Sequence, residues 1–144
     1  MKNPVSFAVL GYGHIGKRHA ASINAHSVAV LDSIADIEDV YTSISSNVGF
    51  EDVTVYNSLD SLLDGSTLPE VVCVCTPNGL HTTQCVQILE AGCHVVLEKP
   101  IALSASDARR VSEVSSSTGK HVFCVMQNRF SPPSVWLKSL VESG

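Results

Sequence analysis

The sequence predicts a doubly wound α/β domain in which about six parallel strands form one sheet with helices on both faces. Two observations predict it. Short apolar runs alternate with amphipathic stretches along the 144 residues, an order typical of parallel strands joined by helices. A glycine-rich turn, Gly11-Tyr-Gly-His-Ile-Gly16, directly follows the first apolar run. Because crossover connections are right-handed, such a turn after strand one selects the Rossmann winding.

Length and composition fit a single globular domain. The chain is long enough to bury a core without disulfides or metals, and 44% hydrophobic with 16% charged residues is typical of a folded protein. The net charge of −5, with no basic cluster larger than Lys17-Arg18 or Arg109-Arg110, argues against nucleic acid as a partner. No apolar run approaches the roughly 20 residues that span a bilayer, and the first residues lack a secretory signal. We therefore expect a cytoplasmic protein with no membrane partner.

The five cysteines are predicted to be buried free thiols. They are an odd number, lie in apolar surroundings and include no CxxC pair. Because reduced cysteine behaves as a small hydrophobic residue, burial is favoured over metal ligation, and no metal site is predicted. These cysteines are Cys73, Cys75, Cys85, Cys93 and Cys124.

The first part of the chain predicts two strands, each followed by a helix. Residues 5–10 form the first strand and residues 28–31 the second. The helix over 14–25 is predicted from apolar side chains at four-residue steps, and a second helix is expected over 34–46 from helical spacing of its apolar residues. The side chains expected to face inward from the first helix are Ile15, His19 and Ile23.

The middle of the chain predicts a short strand, a short helix and a buried strand. Residues 53–56 form the third strand, and Ser58 is the expected N-cap of a small helix that carries three leucines. Residues 71–75 are apolar on both faces, which is typical of a central strand covered by helices on both sides. A helix over 80–91 follows, and Gly92 ends it.

The last third of the chain predicts two more strands and two helices. Residues 94–97 form the fifth strand, and Ser104 begins a helix that Gly119 terminates. Residues 122–126 form a sixth strand, again apolar on both faces. The prolines that follow Ser131 break the pattern and lead into a final helix.

The glycine-rich turn predicts a site for a diphosphate. Gly11 permits a very tight turn, Gly13 leaves no side chain between backbone and ligand, and Gly16 lets the helix lie close to the strand. The free N–H groups of the first helical turn then face the anion. His14 is expected at the edge of the cofactor and not as a catalyst. All six residues, Gly11, Tyr12, Gly13, His14, Ile15 and Gly16, are predicted to bind the cofactor.

Asp32 is predicted to select the cofactor. It follows the apolar residues 28–31, where a dinucleotide site requires an acid about 20 residues beyond the glycine turn. A carboxylate there accepts hydrogen bonds from the adenosine ribose hydroxyls and repels a 2′-phosphate. The sequence therefore predicts NAD, with NADP less favoured.

Polar clusters follow three of the apolar strands. They are residues 76–81, 98–100 and 127–129. Because all three follow the carboxyl ends of strands, we expect them to converge at the edge of the sheet where ligands bind. We assign Asn128 to the cofactor side of this edge and Arg129 to the substrate side. Each cluster also has a second interpretation: Asn78 and Gly79 are residues typical of turns, and His81 fits a surface or helix-capping position.

Lys99 is the candidate catalytic residue. It follows a buried strand, and a lysine near a partly desolvated carbonyl or hydroxyl can donate or accept a proton, with its pKa lowered by burial. A nearby oxidised nicotinamide, which is positively charged, acts in the same direction. The alternative is that Glu98 and Lys99 form a solvated pair at the end of a strand.

The sequence resembles the glucose-fructose oxidoreductase, inositol dehydrogenase and MocA family. The resemblance rests on the glycine turn, on Val74-Cys-Thr-Pro-Asn78 with His81, and on Glu90-Ala-Gly-Cys-His-Val-Val-Leu-Glu-Lys-Pro100. It implies a nicotinamide-dependent dehydrogenase that moves a hydride to or from a sugar, cyclitol or nucleotide-sugar carbon. The stretch 127–133 looks like members that oxidise the 3-hydroxyl of nucleotide-linked amino sugars.

The resemblance also implies residue roles. Lys99 matches the lysine near both the nicotinamide and the reacting hydroxyl, and Glu98 matches a residue near the nicotinamide ribose. The residues that match the loop along the cofactor are Thr76, Pro77, Asn78 and His81.

The domain organisation expected from the resemblance is a cofactor domain followed by a substrate domain. Residues 1–127 form the dinucleotide-binding domain, and residues 128–144 form a linker and first helix leading to a substrate domain that this chain lacks. The fragment alone is expected to be inactive, and the full-length protein is expected to be a homo-oligomer. Two alternatives remain open: a non-enzymatic NAD-sensing regulator of the same fold, and a free-standing NAD-binding module with a separate partner.

Overall fold

The computed structural model describes residues 3–40, 44 and 50–144. It contains one six-stranded sheet in which every pair of neighbouring strands is parallel. In chain order the strands are β1 (Val5–Leu10), β2 (Ala29–Ala35), β3 (Thr54–Tyr56), β4 (Val71–Val74), β5 (His94–Leu97) and β6 (Val122–Cys124). They lie in the order β3-β2-β1-β4-β5-β6, so the predicted fold class is confirmed.

Helices connect these strands. They are α1 (His14–Asn24), α2 (Leu59–Leu63), α3 (His81–Glu90), α4 (Ala105–Thr118) and α5 (Pro132–Ser143), with short 3₁₀ turns at Asn78–Leu80 and Gln127–Phe130. Ser58 and Ser104 cap α2 and α4 as predicted, each accepting a bond from the backbone N–H three residues on. Within the described residues, no helix has both the length and the apolar character needed to cross a membrane.

The core has two layers, one on each face of the sheet. All four residues of β4 are buried. Val72 and Val74 belong to the cluster that includes Ile88 of α3, whereas Cys73 belongs to the cluster that includes Ile23 of α1. The central strand is therefore apolar on both faces because helices cover both.

The buried face of α1 differs from the prediction. Gly16, Ala20 and Ile23 are the buried residues, while Ile15 is 37% exposed. The helix must lie against the glycine turn, and only a residue without a side chain fits there, so Gly16 sets the rotation of the helix. His19 consequently lies at the rim of this face and not in the core.

Strand β2 is longer than predicted. Ile34 and Ala35 pair with Val9 and Leu10 of β1, so the helix expected over 34–46 is wrong at its start. Residues 36–40 form no helix either, and residues 41–43 and 45–49 lie outside the described part. The register between β1 and β2 shifts after Phe7. The polar residues of β2 at this irregularity interrupt its apolar run, and for that reason the sequence predicts an earlier end of the strand.

Strand β6 ends at Cys124, two residues before the predicted end, and its residues are not buried on both faces as predicted. It has one neighbour, β5, and Phe123 is 58% exposed. The apolar side chains of α5 are also exposed, with Trp136 at 64%. Apolar sequence at this end of the chain therefore reflects a surface that the described residues do not cover.

Candidate cofactor-binding site

The glycine turn brings the start of α1 against the ends of β1 and β4. Gly11 has φ +89°, and a Cβ there would lie 3.0 Å from the carbonyl carbon and oxygen of Cys75. A Cβ on Gly16 would lie 1.9 Å from the carbonyl oxygen of Gly11. Both positions therefore require glycine for packing, as the sequence predicts.

The space in front of Gly13 is open. Gly13 is the N-cap of α1, makes no side-chain capping bond, and would carry a Cβ with nothing within 4 Å. The amide of Lys17 makes the helical bond to the Gly13 carbonyl oxygen, so the amides of the preceding helical residues have no carbonyl partner within the helix. These N–H groups and the positive end of the helix dipole favour an anion here.

Asp36, and not Asp32, follows the second strand. Its Oδ2 accepts a hydrogen bond of 2.5 Å from the Tyr12 amide, and its Oδ1 accepts one of 3.0 Å from the Glu38 amide. Asp32 lies within β2, so the prediction that it ends the strand is wrong. The spacing contained the signal, because Asp36 comes about 20 residues after Gly16.

The Tyr12 ring is directed into the protein. It is 4% exposed and belongs to the apolar cluster on the α1 side of the sheet. Burial raises the pKa of its hydroxyl. Lys17 Nζ lies 5.6 Å from the ring centroid. Only the main chain of Tyr12 is therefore presented at the glycine turn.

The loop after β4 is held by the His81 side chain. His81 is fully buried, with Nδ1 2.8 Å from the Pro100 carbonyl oxygen and Nε2 2.9 Å from the Thr76 carbonyl oxygen. The ring thus braces the segments that follow β4 and β5, which corrects its predicted role as a cofactor contact. Pro77 and Asn78 are exposed beside it, and the Thr76 hydroxyl donates a 2.5 Å bond to Gln84 Oε1.

Glu98 is paired with a residue that sequence analysis did not assign to the site. Its Oε1 lies 2.9 Å from His19 Nε2, and its Oε2 accepts a bond of 3.3 Å from the Lys99 amide. The His19 side chain is 20% exposed and the Glu98 side chain is 13% exposed. The alternative of a solvated Glu98–Lys99 pair therefore does not describe this arrangement.

Lys99 lies in a cleft of about 500 Å³. The Lys99 side chain is exposed, so the described residues do not supply the burial that we expected around its ammonium group. The residues that line the cleft are Lys99, Met126, Gln127, Asn128, Arg129, Ser134 and Lys138. Three cationic side chains thus share one cleft in a chain whose net charge is −5.

Buried thiols lie close enough to Glu98 to be influenced by its charge. Burial, and then the negative charge of Glu98, raise the pKa of Cys73 to about 12. Burial raises the pKa of Cys75 as well, with smaller contributions from Cys73 and Glu98. All five cysteines are free, as predicted, but Cys75 and Cys124 are half-buried and not fully buried. The described residues contain no group of three or more side chains suited to hold a metal ion.

Comparison with known proteins identifies the family. Residues 5–126 match the Gfo/Idh/MocA group, described as an oxidoreductase family with an NAD-binding Rossmann fold. The chain belongs to the Gfo/Idh/MocA family. The resemblance expected from the glycine turn and the Glu-Lys-Pro segment is therefore confirmed.

The relatives of this Gfo/Idh/MocA domain include two curated dehydrogenases. It is 29% identical to D-glucoside 3-dehydrogenase of Escherichia coli K12 over 99% of this chain and 40% of that protein. It is 27% identical to the scyllo-inositol 2-dehydrogenase (NADP(+)) IolW of Bacillus subtilis 168 over 97% of this chain and 38% of that protein.

A solved structure shares the fold over nearly the whole chain. The WlbA dehydrogenase from Bordetella pertussis, in complex with NADH and UDP-GlcNAcA, matches with a TM-score of 0.88 and 28% identity. The match covers 99% of this chain and 43% of that one. The Gfo/Idh/MocA chain therefore spans less than half the length of each of these relatives.

Proposed function

We propose that this chain is the cofactor-binding domain of an NAD-dependent oxidoreductase that transfers a hydride between nicotinamide and a hydroxyl-bearing carbon of a nucleotide sugar, sugar or cyclitol. The observation that carries the proposal is the open space in front of Gly13, where amides at the start of α1 face outward. Residues 1–127 form this domain, and residues 128–144 lead toward a substrate domain.

The residues at the carboxyl edge of the sheet fit a dinucleotide. The amides of His14 and Ile15 donate to the diphosphate, and Asp36 accepts bonds from the adenosine ribose hydroxyls. Along the rest of the cofactor we place Thr76, Pro77, Asn78, Glu98 and Asn128.

NAD is favoured over NADP because of the charge that surrounds Asp36. The segment Asp36-Ile-Glu-Asp39 contains three acidic residues and no lysine or arginine. An additional phosphate on the ribose would therefore meet the negative charge of this segment. The NADP(+) specified in the name of IolW shows that relatives differ in this respect.

Lys99 is proposed as the residue that moves a proton at the substrate hydroxyl. When bound, the nicotinamide ring supplies the position that accepts or gives the hydride. In the oxidation direction the neutral Lys99 amine accepts the hydroxyl proton, and in the reduction direction the ammonium group donates it. Its position directly after Glu98, at the end of β5, places it at the edge where ligands of such sheets bind.

The charge of the cleft favours an anionic substrate, which a nucleotide sugar provides. Lys99, Arg129 and Lys138 line the same cleft. Lys138 Nζ lies 3.5 Å from Glu142 Oε1 in an exposed ion pair. Lys99 and Arg129 make no ion pair with any residue that the structure describes. A diphosphate or carboxylate on the substrate would be stabilised by these groups.

Turnover by the full-length enzyme tests the proposal. Formation of NADH is measured with nucleotide sugars, simple sugars and inositols as candidate substrates. We expect NAD-dependent oxidation of at least one nucleotide sugar and its loss in Lys99→Ala, whereas Lys120→Ala, at the opposite end of the sheet, retains activity. NAD binding without oxidation of any of these substrates would favour a non-enzymatic NAD-sensing regulator.

A further inference from the structure

We infer that His19 is a positioning residue that holds the Glu98 carboxylate in the orientation needed at the cofactor. The inference rests on the proposed function, which places Glu98 at the nicotinamide end of NAD. His19 lies in α1, one turn after the glycine turn, and Glu98 directly follows β5. One hydrogen bond therefore connects the helix that faces the diphosphate to the strand that leads to Lys99.

The chemistry of this contact indicates which imidazole nitrogen carries a proton. His19 Nε2 and Glu98 Oε1 are 2.9 Å apart. An ionised carboxylate only accepts hydrogen bonds, so Nε2 must donate. Because both side chains are mostly buried, water and salt screen this contact less than they screen a surface pair.

His19 is the main restraint on the Glu98 side chain. Within the part of the chain that the structure describes, the Glu98 Oε2 atom accepts a hydrogen bond only from the adjacent Lys99 amide, at 3.3 Å. Among the described residues, no other side chain donates a hydrogen bond to this carboxylate. Loss of the imidazole would therefore free Glu98 to turn toward the exposed ammonium group of Lys99.

The His19–Glu98 pair faces open space. Both side chains line a cleft of about 190 Å³, together with Ile15, Arg18, Ser22, Val125 and Gln127. Gln127 also lines the larger cleft that contains Lys99. A carboxylate held by His19 thus lies next to both the cofactor edge and the cationic cleft, where its orientation affects ligand binding.

Paired substitutions in the full-length enzyme separate positioning from folding. His19→Leu removes the donor, whereas His19→Gln keeps a side-chain N–H at similar reach. Ser22→Ala, in the same cleft, serves as the matched control. Calorimetry measures binding of NAD and of ADP, which has the adenosine and diphosphate but no nicotinamide ribose.

We expect His19→Leu to weaken NAD binding about tenfold, as for loss of one hydrogen bond to a charged group. ADP affinity should stay within about twofold of the wild type, His19→Gln should recover most of the NAD affinity, and Ser22→Ala should match the wild type. Unchanged NAD affinity in His19→Leu, or equal loss for NAD and ADP, would overturn the inference. Failure of the wild-type enzyme to bind either ligand would instead overturn the proposed function from which the inference starts.

The tautomer of His19 gives a readout independent of affinity. In ¹⁵N-histidine-labelled full-length enzyme, two-bond ¹H–¹⁵N correlation spectra should show a protonated Nε2 on the ring that Glu98→Leu perturbs. A ring protonated only at Nδ1 would contradict the proposed donor.

Discussion

A Cβ added to Gly16 would lie 1.9 Å from the carbonyl oxygen of Gly11, so the two ends of the glycine turn are in direct contact. This contact brings the first turn of α1 to the edge of the sheet. The Asp36 carboxylate lies beside the same turn, because its Oδ2 accepts a hydrogen bond from the Tyr12 amide.

Gly16→Ala should destabilise the protein strongly. The added methyl group meets backbone atoms that cannot rotate away, so we expect a loss of about 3 kcal/mol in the free energy of unfolding. Urea denaturation measures this. Gly79→Ala, where the added Cβ has nothing within 4 Å, is the control. Equal stabilities of the two variants would contradict the packing described for the turn.

Gly13→Ala should fold normally but bind NAD poorly. Its backbone has φ −70°, which alanine adopts freely, and its Cβ meets no protein atom. The methyl group instead occupies space assigned to the diphosphate, so the Kd for NAD should rise about tenfold or more. Fluorescence titration and urea denaturation together check both halves of this prediction. Wild-type affinity in the variant would place the diphosphate elsewhere.

Asp36→Asn should weaken NAD binding and reduce discrimination against NADP. The substitution removes the charge that holds ribose hydroxyls and repels a 2′-phosphate, which we expect to raise the Kd for NAD about tenfold. Asp32→Asn is the matched control, because Asp32 lies within β2. If Asp32→Asn produced the larger change, the assignment from strand bounds would be wrong.

Stability should fall at high pH because of the buried thiols. Burial raises the pKa values of Cys73 and Cys85 from 9.0 to about 12 in the folded protein. Between these values the unfolded chain loses thiol protons that the folded chain keeps, so rising pH favours unfolding. Each such thiol should lower the free energy of unfolding by about 1.4 kcal/mol for each pH unit above its pKa in the unfolded chain.

Urea denaturation between pH 8 and pH 10 measures this loss. In Cys85→Ala the decline above pH 9.0 should be shallower, because one thiol with a raised pKa is removed. A decline of unchanged slope would show that other groups cause it. Below pH 9.0 the contribution of these thiols to stability should be constant.

The fold could be predicted from the sequence because its information is local. Buried parallel strands are nearly continuous apolar runs, and Val71–Val74 needs no knowledge of its neighbours to be recognised. The sequence predicts a β2 that is too short, because Asp32 and Ser33 interrupt its apolar pattern before Ile34. Its pairing with β1 continues through that irregularity, which a local pattern does not show.

The parts of the site that consist of residues close together in the chain could also be predicted from the sequence. The glycine turn is a local motif, and the close packing at Gly11 and Gly16 is as predicted, whereas Ile15 is more exposed than predicted. The His19–Glu98 bond joins residues 79 positions apart, and no local spacing indicates it. The buried position of His81 likewise depends on the Pro100 carbonyl oxygen, which the β5 connection brings to it.

A crystal structure of the full-length protein with NAD would show directly where the dinucleotide binds. We expect diphosphate oxygens about 3 Å from the amides at the start of α1, in the space in front of Gly13, with the adenosine ribose hydroxyls on Asp36. A dinucleotide bound at any other edge of the sheet, with that space filled by protein side chains, would contradict it.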